Sequence, residues 1–311
     1  MPGEVMAFYS ESDDPVAWRT ALERAVPDLT LRIYPDFGNP EDVRYALVWD
    51  PPNGFFSPFT KLELVINLGA GVDALLDRAD LPWLPIVRLF DPNMARMMSS
   101  YVQMAVLRHA RDIVQFERAK RQGQWTYIHP RDPAQIRVGV MGLGELGGLA
   151  AAALVQHRFQ VFGWSRRRHQ IEGVTCSAGI ENLDEFLGGL DILVCMLPLT
   201  PITRGLLNAA RFAALPRGAA FVNVARGDVV DEPALIEALR RGHLGQATLD
   251  VFATEPLPAG HPFWAMDNVL ITPHVASIAL PASAAAEIAE NIRRIRNGEA
   301  LAHQVDPARG Y

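Results

Sequence analysis

The sequence predicts an α/β protein of two doubly wound parallel-sheet domains. Three observations carry this. Short apolar runs recur along the 311 residues, separated by stretches with helical spacing, which is the alternation parallel sheets require. One such run, Val138 to Met141, passes straight into Gly142, Gly144 and Gly147 and then into Leu149 to Val155, a small-residue helix former. The composition, 49% hydrophobic and 21% charged, is that of a globular chain long enough for two domains of ordinary size.

Taken in order, Val5 to Tyr9 is a first strand. Asp14-Pro15 then opens a helix: proline has no N–H to leave orphaned at the first helical position, and Ala17, Trp18, Ala21, Leu22 and Ala25 share one side. Strands follow at Leu29 to Tyr34, at Tyr45 to Trp49 (stopped by Asp50-Pro51-Pro52), at Leu62 to Leu68 and at Ile86 to Leu89. From Asn93 to about Gln122 there is no proline or glycine. Met94, Met97, Met98, Tyr101, Val102, Ala105 and Val106 recur there at helical spacing, so this is one long helix or two in line, its methionines a core stripe. Asp132-Pro133 leads into the glycine-loop strand. Further strands are expected at Phe159 to Trp164, Asp191 to Leu197, Ala219 to Val224, Ala247 to Val251 and Val269 to Ile271. The second domain is then complete, so the helix from Ala282 to Asn297 is expected to return to the first. The expected division is residues 1–97 with 281–311, and 98–280.

Bulk properties exclude several function classes. A net charge of −6 argues against a broad nucleic-acid surface. Cys176 and Cys195 are too few for a disulfide framework and lack zinc spacing, so they read as core thiols and no metal site is expected. The start, MPGEVMAFYSESDD, lacks a basic end followed by an apolar core, and no apolar run approaches the ~18 residues of a membrane span. The expectation is a cytoplasmic protein with neither a membrane nor a nucleic-acid partner.

The glycine loop is the first chemical signal. Gly142 permits the tight turn, Gly144 lets backbone approach a pyrophosphate, and Gly147 lets helix and strand pack closely. The helix start then presents N–H groups to phosphate. Alone the glycine spacing is weak; the flanking strand and helix make it specific. An NAD fingerprint places an acid about 20 residues on, at the end of the next strand. No acid occurs between Glu145 and Glu172; Ser165-Arg166-Arg167-Arg168 stands there instead. Arginine pairs with a 2′-phosphate that a carboxylate repels, so the cofactor is expected to be NADPH, with NADH the weaker alternative and a solvated basic turn the bland one.

A second turn, Gly69-Ala70-Gly71, ends the strand from Leu62 to Leu68. Backbone N–H groups at such a strand end suit a small anion, although an ordinary strand-to-helix turn looks the same. Three polar residues, Arg226, Glu255 and His274, follow later strand ends. Singly they are a surface arginine, part of a Glu-Pro turn and a core histidine. Together they suit hydride transfer. Arginine anchors a 2-keto acid and polarises its carbonyl, histidine protonates the nascent alkoxide, and a carboxylate fixes the histidine's tautomer and favours the imidazolium. A methyltransferase reading of the glycine loop leaves all three unexplained.

With these residues in view, the chain resembles the D-isomer-specific 2-hydroxyacid dehydrogenases, and among them the glyoxylate and hydroxypyruvate reductases. The matching stretches are NLGAGVD (67–73), VGVMGLGELG (138–147), WSRR (164–167), MLPLTPITRGLLN (196–208), FVNVARGDVVDEPALIEAL (221–239), LDVFATEPLP (249–258), NVLITPHVAS (268–277) and the tail QVDPARGY (304–311). The resemblance implies a Rossmann nucleotide domain inserted in a flavodoxin-like substrate domain. It implies that Arg226 binds substrate, that His274 is the general acid in reduction, and that Glu255 orients His274. It implies that Ala70 and Gly71 receive the substrate carboxylate and that Trp49 narrows the pocket, a plain core tryptophan being the alternative. Leu146 and Gly147 then lie under the pyrophosphate, Ser165, Arg166 and Arg167 hold the 2′-phosphate, and Asp250 faces the nicotinamide amide. Leu197, Pro198, Thr203, Val224 and Ala225 complete the cofactor site with Gly142 and Gly144. The implied protein is a homodimer, built through the nucleotide domain, that reduces glyoxylate to glycolate and hydroxypyruvate to D-glycerate. A related dehydrogenase of another keto acid competes, including the phosphoglycerate and formate types; an added C-terminal regulatory domain, expected of the first, is not seen. A nucleotide-sensing corepressor on the same fold competes from another class, but sensing needs no proton donor.

Overall fold

The computed structural model describes residues 4–76 and 78–306; the tail motif from residue 307 onward lies outside the described residues. In chain order the elements are β1 (Glu4–Tyr9), α1 (Pro15–Ala25), β2 (Leu29–Ile33), β3 (Val43–Val48), β4 (Leu64–Asn67), α2 (Asp73–Leu76), β5 (Ile86–Arg88), α3 (Pro92–Ala110) and α4 (Ile113–Arg121). They continue with β6 (Arg137–Met141), α5 (Glu145–Gln156), β7 (Gln160–Ser165), β8 (Val174–Ala178), α6 (Leu183–Leu187), β9 (Ile192–Cys195), α7 (Ala209–Ala214) and β10 (Ala219–Asn223). Last come α8 (Glu232–Arg240), β11 (Leu244–Leu249), β12 (Val269–Ile271) and α9 (Pro281–Arg296). The described chain divides into two compact units, one running to Met94 and resuming at Ile278, the other spanning Ala95–Ser277.

The first unit holds a parallel sheet in the order β2-β1-β3-β4-β5, the flavodoxin-like arrangement. Asp14 caps α1 by accepting from Val16 N at 2.9 Å, and Pro15 takes the first helical position. Trp18 and Leu22 of α1 are fully buried in one cluster with Ala284, Ile288 and Ile292 of α9. The closing helix therefore belongs to this unit. Arg296 at its end donates to Glu4 of β1 at 2.6 Å, and the Tyr45 hydroxyl of β3 donates to the same carboxylate at 2.8 Å.

The second unit holds a parallel sheet in the order β12-β11-β10-β9-β6-β7-β8. Counted from β6, this is the Rossmann order with one added strand, and the order reverses between β6 and β9. Strands β6, β9 and β10 are buried almost throughout, which is why they read as plain apolar runs. β8 is a strand that the apolar pattern does not reveal. Its residues VTCSA are half-exposed at the sheet edge, so no buried face marks them. The long methionine-striped helix is two helices, broken at Asp112, whose φ of 55° is left-handed. Cys195 is fully buried in β9 and Cys176 half-buried in β8. Among the described residues, no helix is long and apolar enough to cross a membrane.

Candidate functional site

The glycine loop leaves β6 at the reversal point of its sheet. Gly142 has φ 99°, and a Cβ there would meet the Met196 carbonyl oxygen at 2.5 Å. A Cβ on Gly147 would stand 1.8 Å from the Gly142 carbonyl oxygen, so α5 lies as close to the loop as backbone allows. At Gly144 the opposite holds: nothing lies within 4 Å of the Cβ position. That open space, beside the N-terminal turn of the 12-residue helix α5, fits a pyrophosphate. Leu146 is half-buried in this first turn, and Leu197, Val224 and Ala225 are buried at the ends of β9 and β10. Pro198 is exposed, and its carbonyl accepts from Thr203 Oγ1 at 2.6 Å, which closes the loop between them. Ser165 is buried at the end of β7 and donates to the Arg167 carbonyl at 2.6 Å, turning the chain there. Arg166, Arg167 and Arg168 follow, all exposed. No acid stands at this strand end to oppose a phosphate. The residues present thus fit a dinucleotide carrying a 2′-phosphate.

Arg226, Glu255 and His274 all lie in the second unit, on segments that leave β10, β11 and β12. His274 Nδ1 lies 2.8 Å from Glu255 Oε2, and Glu255 Oε1 accepts from Phe252 N at 2.8 Å. Burial works to raise the Glu255 carboxyl, but the hydrogen bond and charge of His274, the Phe252 N–H and the Arg226 charge hold it below the usual carboxylate range. Glu255 is therefore an anion at neutral pH, and an anion at Nδ1 keeps the proton on that nitrogen. His274 itself has φ 55°. A left-handed non-glycine residue costs about 1–2 kcal/mol, which neighbouring bonds must offset. Asp250 supplies several of them. It is 1% exposed; its Oδ1 accepts from Thr272 Oγ1 at 2.6 Å and Val275 N at 2.9 Å, and its Oδ2 accepts from Ala276 N at 2.9 Å.

In the first unit, Asn67 ends β4 and donates to the Gly69 and Gly71 carbonyls at 2.9 and 2.8 Å. The bond to the Gly69 carbonyl fixes the peptide plane that carries the Ala70 N–H, and Arg88, donating to the Ala70 carbonyl at 3.3 Å, does the same for the Gly71 N–H. Trp49 lies against the same turn, since a Cβ on Gly69 would stand 2.5 Å from its ring.

Sequence reasoning missed the residues that hold the candidate reactive ones. Asn223 is 1% exposed; it donates to the Arg226 carbonyl and accepts from Ala225 N, both at 3.1 Å, and so shapes the arginine's turn. Asn67, Asn223 and Thr272 share a usable signal: each is a polar residue ending or directly following a short apolar strand. A separate cavity of about 650 Å³ opens at the amino ends of β9 to β11, lined by residues including His109, Arg118, Arg131, Asp191 and Gln246. It contains none of the expected site residues, and it sits at the opposite strand ends from the glycine loop.

Comparison with known proteins agrees with this fold. Residues 103–276 match the family model for the D-isomer specific 2-hydroxyacid dehydrogenase NAD binding domain. The glyoxylate/hydroxypyruvate reductase A of Serratia proteamaculans is 40% identical over 311 residues, covering 98% of this chain and 99% of that protein. A D-isomer specific 2-hydroxyacid dehydrogenase from Xanthobacter autotrophicus Py2, solved with NADPH and MES, is 60% identical with a TM-score of 0.94, covering 99% of this chain and 100% of that one. The NADPH-dependent glyoxylate/hydroxypyruvate reductase of Sinorhizobium meliloti, solved with NADP and sulfate, is 37% identical with a TM-score of 0.93, covering 99% and 100%.

Proposed function

The chain belongs to the D-isomer specific 2-hydroxyacid dehydrogenase family, and we propose that it is an NADPH-dependent reductase of short 2-keto acids, taking glyoxylate to glycolate and hydroxypyruvate to D-glycerate. The observation that carries the reading is the 2.8 Å Glu255–His274 pair, with the Arg226 charge felt at the same carboxylate. When bound, NADPH supplies the hydride that reduces the carbonyl carbon. Arg226 anchors the substrate carboxylate through its fixed fork of donors and polarises the carbonyl. His274 delivers the proton to the carbonyl oxygen from Nε2, because Nδ1 is committed to Glu255. In oxidation the same nitrogen takes the proton back. The Ala70 and Gly71 N–H groups form a further anchor for the carboxylate, and Trp49, packed on their turn, limits substrate length. Asp250 accepts from the nicotinamide amide.

Arg166 and Arg167 bind the 2′-phosphate, with Ser165 shaping their turn through its bond to the Arg167 carbonyl, a reading supported by the exposed arginines and by the missing acid after β7. A homodimer through the second unit is part of the same reading. It is supported by Trp125 and Tyr127, 101% and 79% exposed between α4 and β6. Sedimentation equilibrium at twice the chain's 34.3 kDa tests it. The activity is tested by kcat/KM for glyoxylate, hydroxypyruvate, pyruvate and bulkier keto acids with each cofactor. Preference for the two shortest hydroxylated or aldehydic acids with NADPH is expected. Unchanged kcat in His274→Gln would sink the mechanism.

A further inference from the structure

A part-buried hydrogen-bond chain starts on α3 and ends, at the buried Asp250, beside the segment carrying His274. The Tyr101 hydroxyl lies 2.5 Å from Thr272 Oγ1, which in turn donates to Asp250 Oδ1 at 2.6 Å. A threonine hydroxyl has one proton, and Thr272 spends it on Asp250, so Tyr101 must be the donor to Thr272. The direction of the chain is thus set: Tyr101 to Thr272 to Asp250. Beyond Asp250 the bonds straddle His274. The carboxylate receives Val275 N and Ala276 N, and the Asp250 carbonyl receives His274 N at 2.8 Å. The left-handed His274 is therefore pinned on both sides by one buried acid.

We propose that Tyr101 is a positioning residue for the reduction, ordering the Thr272 hydroxyl so that Asp250 stays an anion and holds the His274 segment in its left-handed turn. This rests on the reading of His274 as the proton donor. His274 lies on its own segment and lowers the Asp250 carboxyl by its charge, Tyr101 comes from α3, and Arg108 acts on Tyr101 from the same helix. Burial pushes the Asp250 carboxyl upward, and the three donors act against burial. Removing the Tyr101 hydroxyl leaves a Thr272 lone pair unfilled and frees that hydroxyl to rotate from Asp250. A protonated Asp250 would then compete with Thr272 for its own oxygen, and the segment would loosen.

The test uses Tyr101→Phe, Thr272→Val, Thr272→Ser and His274→Gln in the full chain. Tyr101→Phe and Thr272→Val are expected to lose at least fivefold in kcat for glyoxylate reduction, with the KM for NADPH within twofold. Both are expected to show an added fall in activity as pH drops from 7.5 to 5.5, because burial already pushes the Asp250 carboxyl upward and the lost donor no longer opposes it. Thr272→Ser keeps the hydroxyl and restores rate and profile. The double variant Tyr101→Phe/Thr272→Val is expected to be no slower than Thr272→Val alone, because both act through one chain. Independently of turnover, the His274 ring-proton NMR signals of the cofactor-free protein, identified by their loss in His274→Gln, are expected to shift in Tyr101→Phe and Thr272→Val and to return in Thr272→Ser. A Tyr101→Phe enzyme with wild-type kcat, pH profile and His274 signals would overturn the relay, as would additive losses in the double variant. If His274→Gln keeps full kcat, the proton-donor reading fails instead, whatever Tyr101→Phe does.

Discussion

Lowering the pH should destabilise the second unit through a single buried histidine. His109 on α3 is 4% exposed, and its Nε2 lies 3.0 Å from Thr248 Oγ1 of β11. Neither its Nδ1 nor the nearby Gln246 Oε1 completes a well-directed hydrogen bond. Burial, helped by the Arg108 charge and opposed by Gln246, pushes the imidazole from the usual 6.5 down to about 4. The sign follows from proton binding. As pH falls through 6.5 the unfolded histidine takes a proton and the folded one does not, so the unfolded state gains. The loss begins near pH 6.5, grows as pH falls toward 4, and levels off below it. At pH 5 it amounts to about 2 kcal/mol, and the full separation amounts to about 3 kcal/mol. Urea unfolding at pH 7.5 and 5.0 measures this in the wild type and in His109→Gln, using the transition that NADPH shifts to identify the second unit. Any constant cost of the substitution cancels in the comparison. The wild type should lose about 2 kcal/mol more than His109→Gln between the two pH values. Equal losses would mean that His109 is not held neutral by burial.

Four further outcomes follow from the site. Arg166→Gln/Arg167→Gln should lower kcat/KM for NADPH about a hundredfold and leave NADH nearly unchanged, taking about tenfold for each exposed charge-assisted bond; parallel losses with both cofactors would remove these arginines from the 2′-phosphate. In Gly147→Ala a methyl group would collide with the Gly142 carbonyl at 1.8 Å, so NADPH titration by fluorescence should show at least tenfold weaker binding, and unchanged affinity would mean the loop tolerates its displacement. Glu255→Gln should reduce kcat for glyoxylate by about 10²-fold while NADPH affinity holds, a split that loss of folding would not give. Trp49→Ala should raise kcat/KM for bulkier keto acids relative to glyoxylate; an unchanged ratio across the substrate panel would leave Trp49 a core residue only.

Much of the fold was legible because its strands are buried on both faces. VGVM, ILVC and AFVN have no polar residue until they end, so length and flanking turns suffice to find them. The glycine loop was legible for a steric reason: Gly142 and Gly147 stand where a Cβ would strike backbone, and only glycine can occupy them. β8 was not legible because an edge strand with half-exposed residues needs no apolar pattern, only a neighbour to pair with. Whether α3 and α4 were one helix or two in line could not be decided from the sequence. Asp112 adopts a left-handed turn that neither proline nor glycine announces, and the apolar spacing runs on past it.

The proposed reactive groups and the groups that hold them were unequally legible, and chemistry explains the difference. Anchoring a carboxylate and moving a proton restrict a position to arginine, histidine or an acid, so Arg226, Glu255 and His274 stand out as types. Holding a turn only requires a donor and an acceptor at the right place, which asparagine, threonine, serine, aspartate and tyrosine all provide. Asn223 and Thr272 therefore look like ordinary residues at strand ends until their bonds to the Arg226 carbonyl and the Asp250 carboxylate are seen. Asp250 joins the two groups. By type it suits the nicotinamide amide, yet three of its hydrogen bonds already serve the turn around His274. A carboxylate offers about four acceptor positions, so one remains for the amide. On the proposed mechanism the same acid joins the cofactor ring to His274, and loosening the Thr272 bond to it should disturb His274 before it disturbs cofactor binding.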